Sequence, residues 1–339
     1  MLVVMKSGAA PEQVERVCQE IRTLGFTPHA MPGAGRTAIG ITGNKGPVNA
    51  LPFEALAGVE QCIPVTKGYK LVLREMKPEG TRVQVNGCEM GGGTNFTLIA
   101  GPCSVESTQQ METVAKFLKD QGVKILRGGA FKPRTSPYSF QGLEEEGLDI
   151  LKDVGARFGL GTITEVMDTG AVEAVEAHAG ILQIGARNMQ NFSLLKRVGK
   201  AAKPVFLKRG MSATLEEFLL AAEYVLHGGN HNVILCERGV RTFADHARNT
   251  LDLSIIPSVQ KLSHLPIFAD PSHAIGKREF VEPMAKAALA AGADGLMVEV
   301  TPDPDHALSD GAQTLNFKDF ERLLKSLRPL AQALGRKIN

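Results

Sequence analysis

Between Phe96 and Val300 the sequence repeats one pattern eight times: a short apolar run that closes on a polar or ionisable residue. The runs are "FTLIAGP", "VKILRGG", "GLGTITEV", "ILQIGAR", "PVFLKR", "NVILCER", "LPIFADPSH" and "GLMVEV", and helical patterns separate most of them. The last helix is the clearest, with Phe317, Phe320, Leu323, Leu324, Leu327, Leu330 and Leu334 on one side. Runs this short and this apolar read as strands buried on both faces, which parallel sheets require. Eight strand–helix units in about 245 residues match a (β/α)8 barrel. A doubly wound open sheet is the competing arrangement, and eight full units favour the barrel.

In such a barrel, chemistry sits where the strands end. Those ends carry, in order, Cys103, Arg127, Glu165, Arg187, Lys208 with Arg209, Glu237 with Arg238, His273 and Glu299. A lone Arg or Lys is ordinarily a solvated surface charge, but eight strand ends of a closed barrel open into one mouth. Arg127, Lys132, Arg134, Arg187, Lys208 and Arg238 predict a positive cleft in a chain whose formal charge is only +2. Guanidinium groups in such a cleft match phosphate and carboxylate oxygens two at a time. In "KPRTS", Pro133 fixes its own φ and pushes Lys132 toward extended geometry. Lys132 and Arg134 are read as serving two different ligands, with Thr135 and Ser136 adding hydroxyl donors.

Cys103, in "IAGPCSVES", has three readings: a small core residue, a nucleophile paired with a histidine, or a metal ligand. Its companions on the predicted rim are His273, Glu299 and, in the loop after the last strand, Asp310. One thiolate, one imidazole and two carboxylates suit one divalent ion such as Mn, Fe, Co or Zn. A nucleophile pair accounts for neither the carboxylates nor the many cations. The five cysteines are scattered without a CxxC pair, which speaks against a disulfide framework and for a reducing, cytoplasmic setting. No apolar run approaches the roughly 18 residues of a membrane span, and the charge balance suggests neither nucleic-acid nor membrane binding. The N-terminus becomes amphipathic too early for a signal peptide.

Residues 1–65 read as a separate unit. "MLVVM" is a strand; Pro11 opens a helix with Val14, Val17, Cys18, Ile21 and Leu24 at helical spacing, closed by Gly25. "FTPHAMP" and "RTAIGIT" are strands joined by "GAG", "PVNALPFEALAG" a second helix and "VEQCIPV" a last strand. The order βαββαβ is that of a ferredoxin-like sandwich. Residues 66–94 read as a linker and short strand region ending in "GGG", and 95–339 as the barrel.

"AGPCSVES", "LRGGAFKPRTSPYSFQG", "QIGARNMQN", "FLKRG", "CERGVRTF", "DPSH" and "VEVTPDPDHALSDGAQ" resemble 3-deoxy-D-arabino-heptulosonate 7-phosphate (DAHP) synthases, specifically the type I-beta branch with a ferredoxin-like extension. The resemblance spans essentially the whole chain, most specifically in the barrel. It implies condensation of phosphoenolpyruvate with erythrose 4-phosphate, releasing phosphate, the first step of the shikimate pathway to chorismate and the aromatic amino acids. It implies Cys103, His273, Glu299 and Asp310 as metal ligands. Arg127, Lys132, Ala186, Arg187, Lys208 and Arg238 would bind phosphoenolpyruvate; Pro133, Arg134, Thr135 and Ser136 would bind erythrose 4-phosphate. It further implies a homotetramer and feedback by tyrosine or phenylalanine through the small domain, for which His29 and "PGAGR" are the candidate contacts. The sister enzyme, 3-deoxy-D-manno-octulosonate 8-phosphate synthase, has Asn in place of the Pro-Arg step of "KPRTS", so the intact motif favours the four-carbon sugar. Two further alternatives are a Schiff-base aldolase using Lys208 and a non-enzymatic amino-acid sensor; neither uses the whole rim.

Overall fold

Leu2–Met5 form strand β1, buried throughout. Pro11 then starts helix α1 (Pro11–Thr23), where its fixed φ suits the first turn. Val17, Cys18 and Ile21 on the predicted stripe are buried, so Cys18 is a core residue. Strands β2 (Thr27–Pro32) and β3 (Thr37–Thr42), helix α2 (Leu51–Glu54) and strand β4 (Val59–Ile63) complete the βαββαβ order. The sheet is antiparallel in the order β2-β3-β1-β4, as a ferredoxin-like sandwich requires. Helix α2 is a single turn, not the full run from Pro47 to Gly58. Pro52 sits in that first turn, where a missing N–H costs no helical bond, and Gly58, four residues past the end, takes φ 88°. His29 lies within β2, opposite Gly40, with Nε2 2.8 Å from the Thr42 hydroxyl.

The computed structural model describes residues 1–44, 46–65, 68–132, 136 and 138–339. The chain divides into two compact units, residues 1–81 with 260–265, and 82–259 with 266–339. In the first, the buried His264 ring bonds the Thr81 hydroxyl at 2.7 Å and the Leu71 carbonyl at 2.8 Å.

The second unit begins with a hairpin, β5 (Arg82–Val85) and β6 (Cys88–Gly91), turned by Asn86-Gly87 at φ 47° and 72°. Asn-Gly is the pair that a two-residue hairpin turn favours. Gly91, Gly92 and Gly93 follow at φ 93°, 78° and 79°. The "GGG" is therefore an ordered left-handed turn between strands, a conformation other residues resist.

The barrel strands are β7 (Asn95–Gly101), β8 (Ile125–Arg127), β9 (Gly161–Glu165), β10 (Ile181–Ile184), β11 (Val205–Lys208), β12 (Val233–Glu237), β13 (Ile267–Ala269) and β14 (Gly295–Glu299). All neighbours pair in parallel and β14 closes on β7, with Glu299 opposite Gly101. The helices are α3 (Thr108–Asp120), α4 (Glu144–Phe158), α5 (Val172–His178), α6 (Phe192–Val198), α7 (Leu215–His227), α8 (Ile255–Leu262), α9 (Pro271–Ile275), α10 (Arg278–Ala290) and α11 (Phe317–Ala333). On α11, Phe320, Leu323, Leu324 and Leu327 of the predicted face are buried, whereas Leu334 is half exposed at its end.

The barrel core takes side chains from every strand, among them Ile99, Ile125, Ile163, Ile181, Phe206, Ile234, Phe268 and Met297. Val83, Val85, Cys88 and Met90 of the hairpin join this cluster. Val85 reaches the backbone of Gly161 and Gly180, at the starts of β9 and β10, so the hairpin seals the N-terminal end. The C-terminal end stays open.

Candidate active site and metal centre

Gly101 ends β7 at φ 148°, and a Cβ there would stand 2.1 Å from the Arg127 carbonyl. That close approach, with Pro102 after it, brings Cys103 into the mouth of the barrel. The Cys103 thiol donates to Asp310 Oδ2 at 3.2 Å, and Lys132 Nζ lies 2.9 Å from its Sγ and 3.0 Å from its carbonyl. Burial, with Glu299 nearby, pushes the thiol up to about 12.

Glu299 ends β14 fully buried. Its Oε1 accepts from Arg127 Nη1 at 2.7 Å and faces His273 Nε2 at 3.2 Å; its Oε2 accepts from Gln313 Nε2 at 2.7 Å. Burial alone would raise this carboxyl, but His273, Arg127 and Lys132 outweigh it and hold it at about 2. Arg127 is likewise opposed by burial, and Glu299 leads the charges that keep it raised.

His273 sits on α9, whose N-cap is Asp270 and whose first residue is Pro271. The Asp270 carboxylate accepts the His273 backbone N–H at 2.9 Å and approaches its ring Nδ1 at 2.7 Å, and Lys208 Nζ donates to the same carboxylate at 2.6 Å. Burial keeps His273 below its usual range, which favours the neutral imidazole that ligation requires. Burial would raise Asp270, yet the His273 ring and Lys208 hold it well below the ordinary range. Asp310 adopts φ 54° and also faces Arg248 Nη1, at 3.5 Å.

Cys103, His273, Glu299 and Asp310 each bring one ligand atom to a common point, all four atoms lying within 4.8 Å of one another. The set fits a divalent ion by its chemistry: a soft sulfur, an imidazole and two hard oxygens. The bond from His273 Nδ1 to Asp270 aims Nε2 at the other three, the usual support of a metal-binding imidazole.

Beside this cluster lies a cavity of about 190 Å³. Among the described residues, seven Lys or Arg side chains line it, against the carboxylates of Glu165 and Asp310. Arg127, Lys132, Ala186, Arg187, Lys208 and Arg238 all belong to this lining, as does Glu165. The Ala186 and Arg187 amides lie on a short 3-10 turn just beyond β10. Pro133, Arg134 and Thr135 lie outside the described residues. Ser136 is exposed, its hydroxyl accepting the Tyr138 N–H at 3.3 Å, and it does not line the cavity.

Two of the ionisable residues assigned to the rim face elsewhere. Arg209 and Glu237 form a buried pair at 3.0 Å, and Arg209 also bonds Asp252 at 2.9 Å. Successive strand residues point to opposite faces, so when Lys208 and Arg238 enter the cleft, Arg209 and Glu237 turn outward. Sequence reasoning missed Asp270, Gln313, Arg241 and Arg248. Asp270 had a readable signal, an Asp-Pro start with histidine three residues on. The other three lie in loops with no periodicity.

Comparison with known proteins places these features. The profile of the DAHP synthetase I family matches residues 74–335, and that of the DAHP synthase ferredoxin-like domain matches 1–67. A phospho-2-dehydro-3-deoxyheptonate aldolase from Thermotoga maritima is 49% identical over 339 residues, covering all of both chains. A solved structure described as that aldolase (DAHP synthase), also from Thermotoga maritima, superposes with a TM-score of 0.79 at 49% identity. The match covers 100% of this chain and 99% of that one. A 2-dehydro-3-deoxyphosphooctonate aldolase from Fusobacterium nucleatum is 32% identical over 262 residues, 72% of this chain and 93% of its own. With both its parts matched and a relative of this similarity over its full length, the chain belongs to the DAHP synthetase I family.

Proposed function

We propose that the protein is a metal-dependent DAHP synthase, joining phosphoenolpyruvate, erythrose 4-phosphate and water to give DAHP and phosphate. The observation that carries this reading is the meeting, at one barrel end, of a four-residue ligand set with a cavity lined by seven cations. Full-length similarity to a heptonate aldolase, against partial similarity to octonate aldolases, favours the four-carbon acceptor.

Cys103, His273, Glu299 and Asp310 would hold the ion, which would act as a Lewis acid toward the sugar aldehyde. Arg127 and Lys132 take the phosphoenolpyruvate carboxylate, while Arg187, Arg238 and the amides of Ala186 and Arg187 take its phosphate. Lys208, neutralised in part by Asp270, bridges the two ends. The resemblance assigns the sugar phosphate to Pro133, Arg134, Thr135 and Ser136, of which the described Ser136 lies outside the cavity lining. The cations cancel the repulsion between two anionic substrates and hold the enol carbon against the aldehyde. They also stabilise the negative charge on the departing phosphate.

The reaction would open the shikimate pathway to chorismate and the aromatic amino acids. The ferredoxin-like domain is the proposed receptor for tyrosine or phenylalanine, with His29 a candidate contact, and the enzyme is proposed to be a homotetramer. Five free cysteines support a cytoplasmic setting, and no helix among the described residues is long and apolar enough to cross a membrane.

The test is phosphate release from phosphoenolpyruvate with erythrose 4-phosphate and, separately, arabinose 5-phosphate. Activity with the four-carbon sugar alone, lost to a chelator and restored by Mn²⁺, is the expected outcome. Activity with arabinose 5-phosphate, or indifference to the chelator, overturns the substrate or the metal assignment respectively.

A further inference from the structure

Beyond the four ligand residues, a second chain of contacts ties two of them together from outside the centre. Gln313 is 2% exposed, in the loop between β14 and α11. Its amide nitrogen donates to Glu299 Oε2 at 2.7 Å, and its amide oxygen accepts from Arg248 Nη1 at 2.8 Å. The same Arg248 nitrogen faces Asp310 Oδ1 at 3.5 Å, while Asp310 Oδ2 faces the Cys103 thiol. Glu299, Gln313, Arg248 and Asp310 thus form one continuous string around the cluster. Each carboxylate has one oxygen on the string and the other toward the ligand group: Glu299 Oε1 toward His273 Nε2, Asp310 Oδ2 toward Cys103 Sγ.

We infer that Gln313 and Arg248 are positioning residues that make Glu299 and Asp310 each offer a single oxygen to the metal. The inference rests on the metal assignment proposed above. The physical case has three parts. An amide donates through its nitrogen and accepts through its oxygen, so Gln313 can join the Glu299 carboxylate to the Arg248 guanidinium. A buried carboxylate oxygen without a donor is costly, so the Gln313 amide fixes which oxygen of Glu299 turns away. Asp310 stands at φ 54°, a left-handed conformation uncommon outside glycine that Asp tolerates better than most residues. Arg248 supplies one restraint on its side chain, and the bond from the Thr314 hydroxyl to the Asp310 carbonyl, at 2.9 Å, supplies another on its backbone. Neither Gln313 nor Arg248 contributes an atom to the ligand set.

The experiment is Mn²⁺ and Co²⁺ affinity of the full-length protein, by competition with a chelating dye, together with the Co²⁺ absorption spectrum. Gln313→Met keeps the volume and removes both bonds; Arg248→Lys keeps the charge and withdraws the Nη1 that serves both Gln313 and Asp310. We expect Gln313→Met to weaken both ions at least about tenfold, the effect typical of groups that hold ligands in place, and to alter the Co²⁺ bands. Arg248→Lys should weaken them by a smaller factor, and the two changes combined should cost less than their separate effects multiplied. Wild-type affinities and an unchanged spectrum in Gln313→Met overturn the inference. Should that variant fail to fold, as its thermal melt reports, unchanged affinity in Arg248→Lys overturns it instead. If the wild-type protein binds neither ion, or Cys103→Ser binds both as wild type does, the metal assignment itself fails.

Discussion

At the N-terminal end of the barrel, Ile125, Ile181 and Phe206 share one buried hydrophobic cluster with Val83, Val85 and Met90 of the hairpin. At the C-terminal ends of the barrel strands stand Arg127, Lys208 and Glu299, all buried and all paired. One fold therefore carries two opposite solutions to burial. Each apolar side chain at the closed end stabilises the fold by roughly 1.5–3 kcal/mol. At the open end the ions lose hydration, and their pairing recovers it only while every partner is present. The closed end supplies stability, and the open end concentrates charge at the proposed site for two anionic substrates.

Breaking a pair at the open end is the sharpest test of this contrast. Arg127→Met leaves the Glu299 carboxylate buried without its main cation, and should lower stability by about 3–5 kcal/mol in a denaturant titration. It should also lower turnover by about 10²–10³-fold, because the proposed donor to the substrate carboxylate is gone. A variant that loses stability but keeps turnover would show that the charges are structural. Phe206→Ala at the closed end should cost a similar 3–5 kcal/mol through the cavity it leaves. At a temperature where it stays folded, however, its KM for both substrates should match the wild type. A changed KM would show that the two ends are mechanically joined.

The smallest effect concerns the outward-facing pair. Burial would raise the Asp252 carboxyl, but bonds from Ser254 and Arg209 hold it below its ordinary range. A depressed carboxyl stabilises the fold above its ordinary range, and that contribution disappears as the pH falls through its folded value. Asp252→Asn should therefore cost about 1 kcal/mol near pH 7. The gap to wild type should narrow as the pH falls below about 3.9. A constant gap across that range would show that charge at Asp252 contributes nothing.

The strand runs, the helix stripes and the strand-end residues were legible because each is set by local spacing. "VNGC" carried a hairpin signal as well, but four-residue strands beside a glycine run read equally as a linker. Neighbouring ions on a strand were harder. Alternation dictates that Lys208 and Arg209 face opposite ways, yet it cannot say which of them faces inward. Gln313 was invisible, since an amide in an aperiodic loop acquires meaning only from the groups on either side of it.

The sequence by itself determined that this chain makes eight buried strands behind a small sandwich, and that their ends are rich in cations and metal-type ligands. Only the tertiary structure decided which of those side chains meet. Cys103 and Asp310 are 207 residues apart, and Arg127 and Glu299 are 172 apart. No local preference reaches across such separations; the closure of β14 on β7 does, by bringing the first and last strand ends to the same rim.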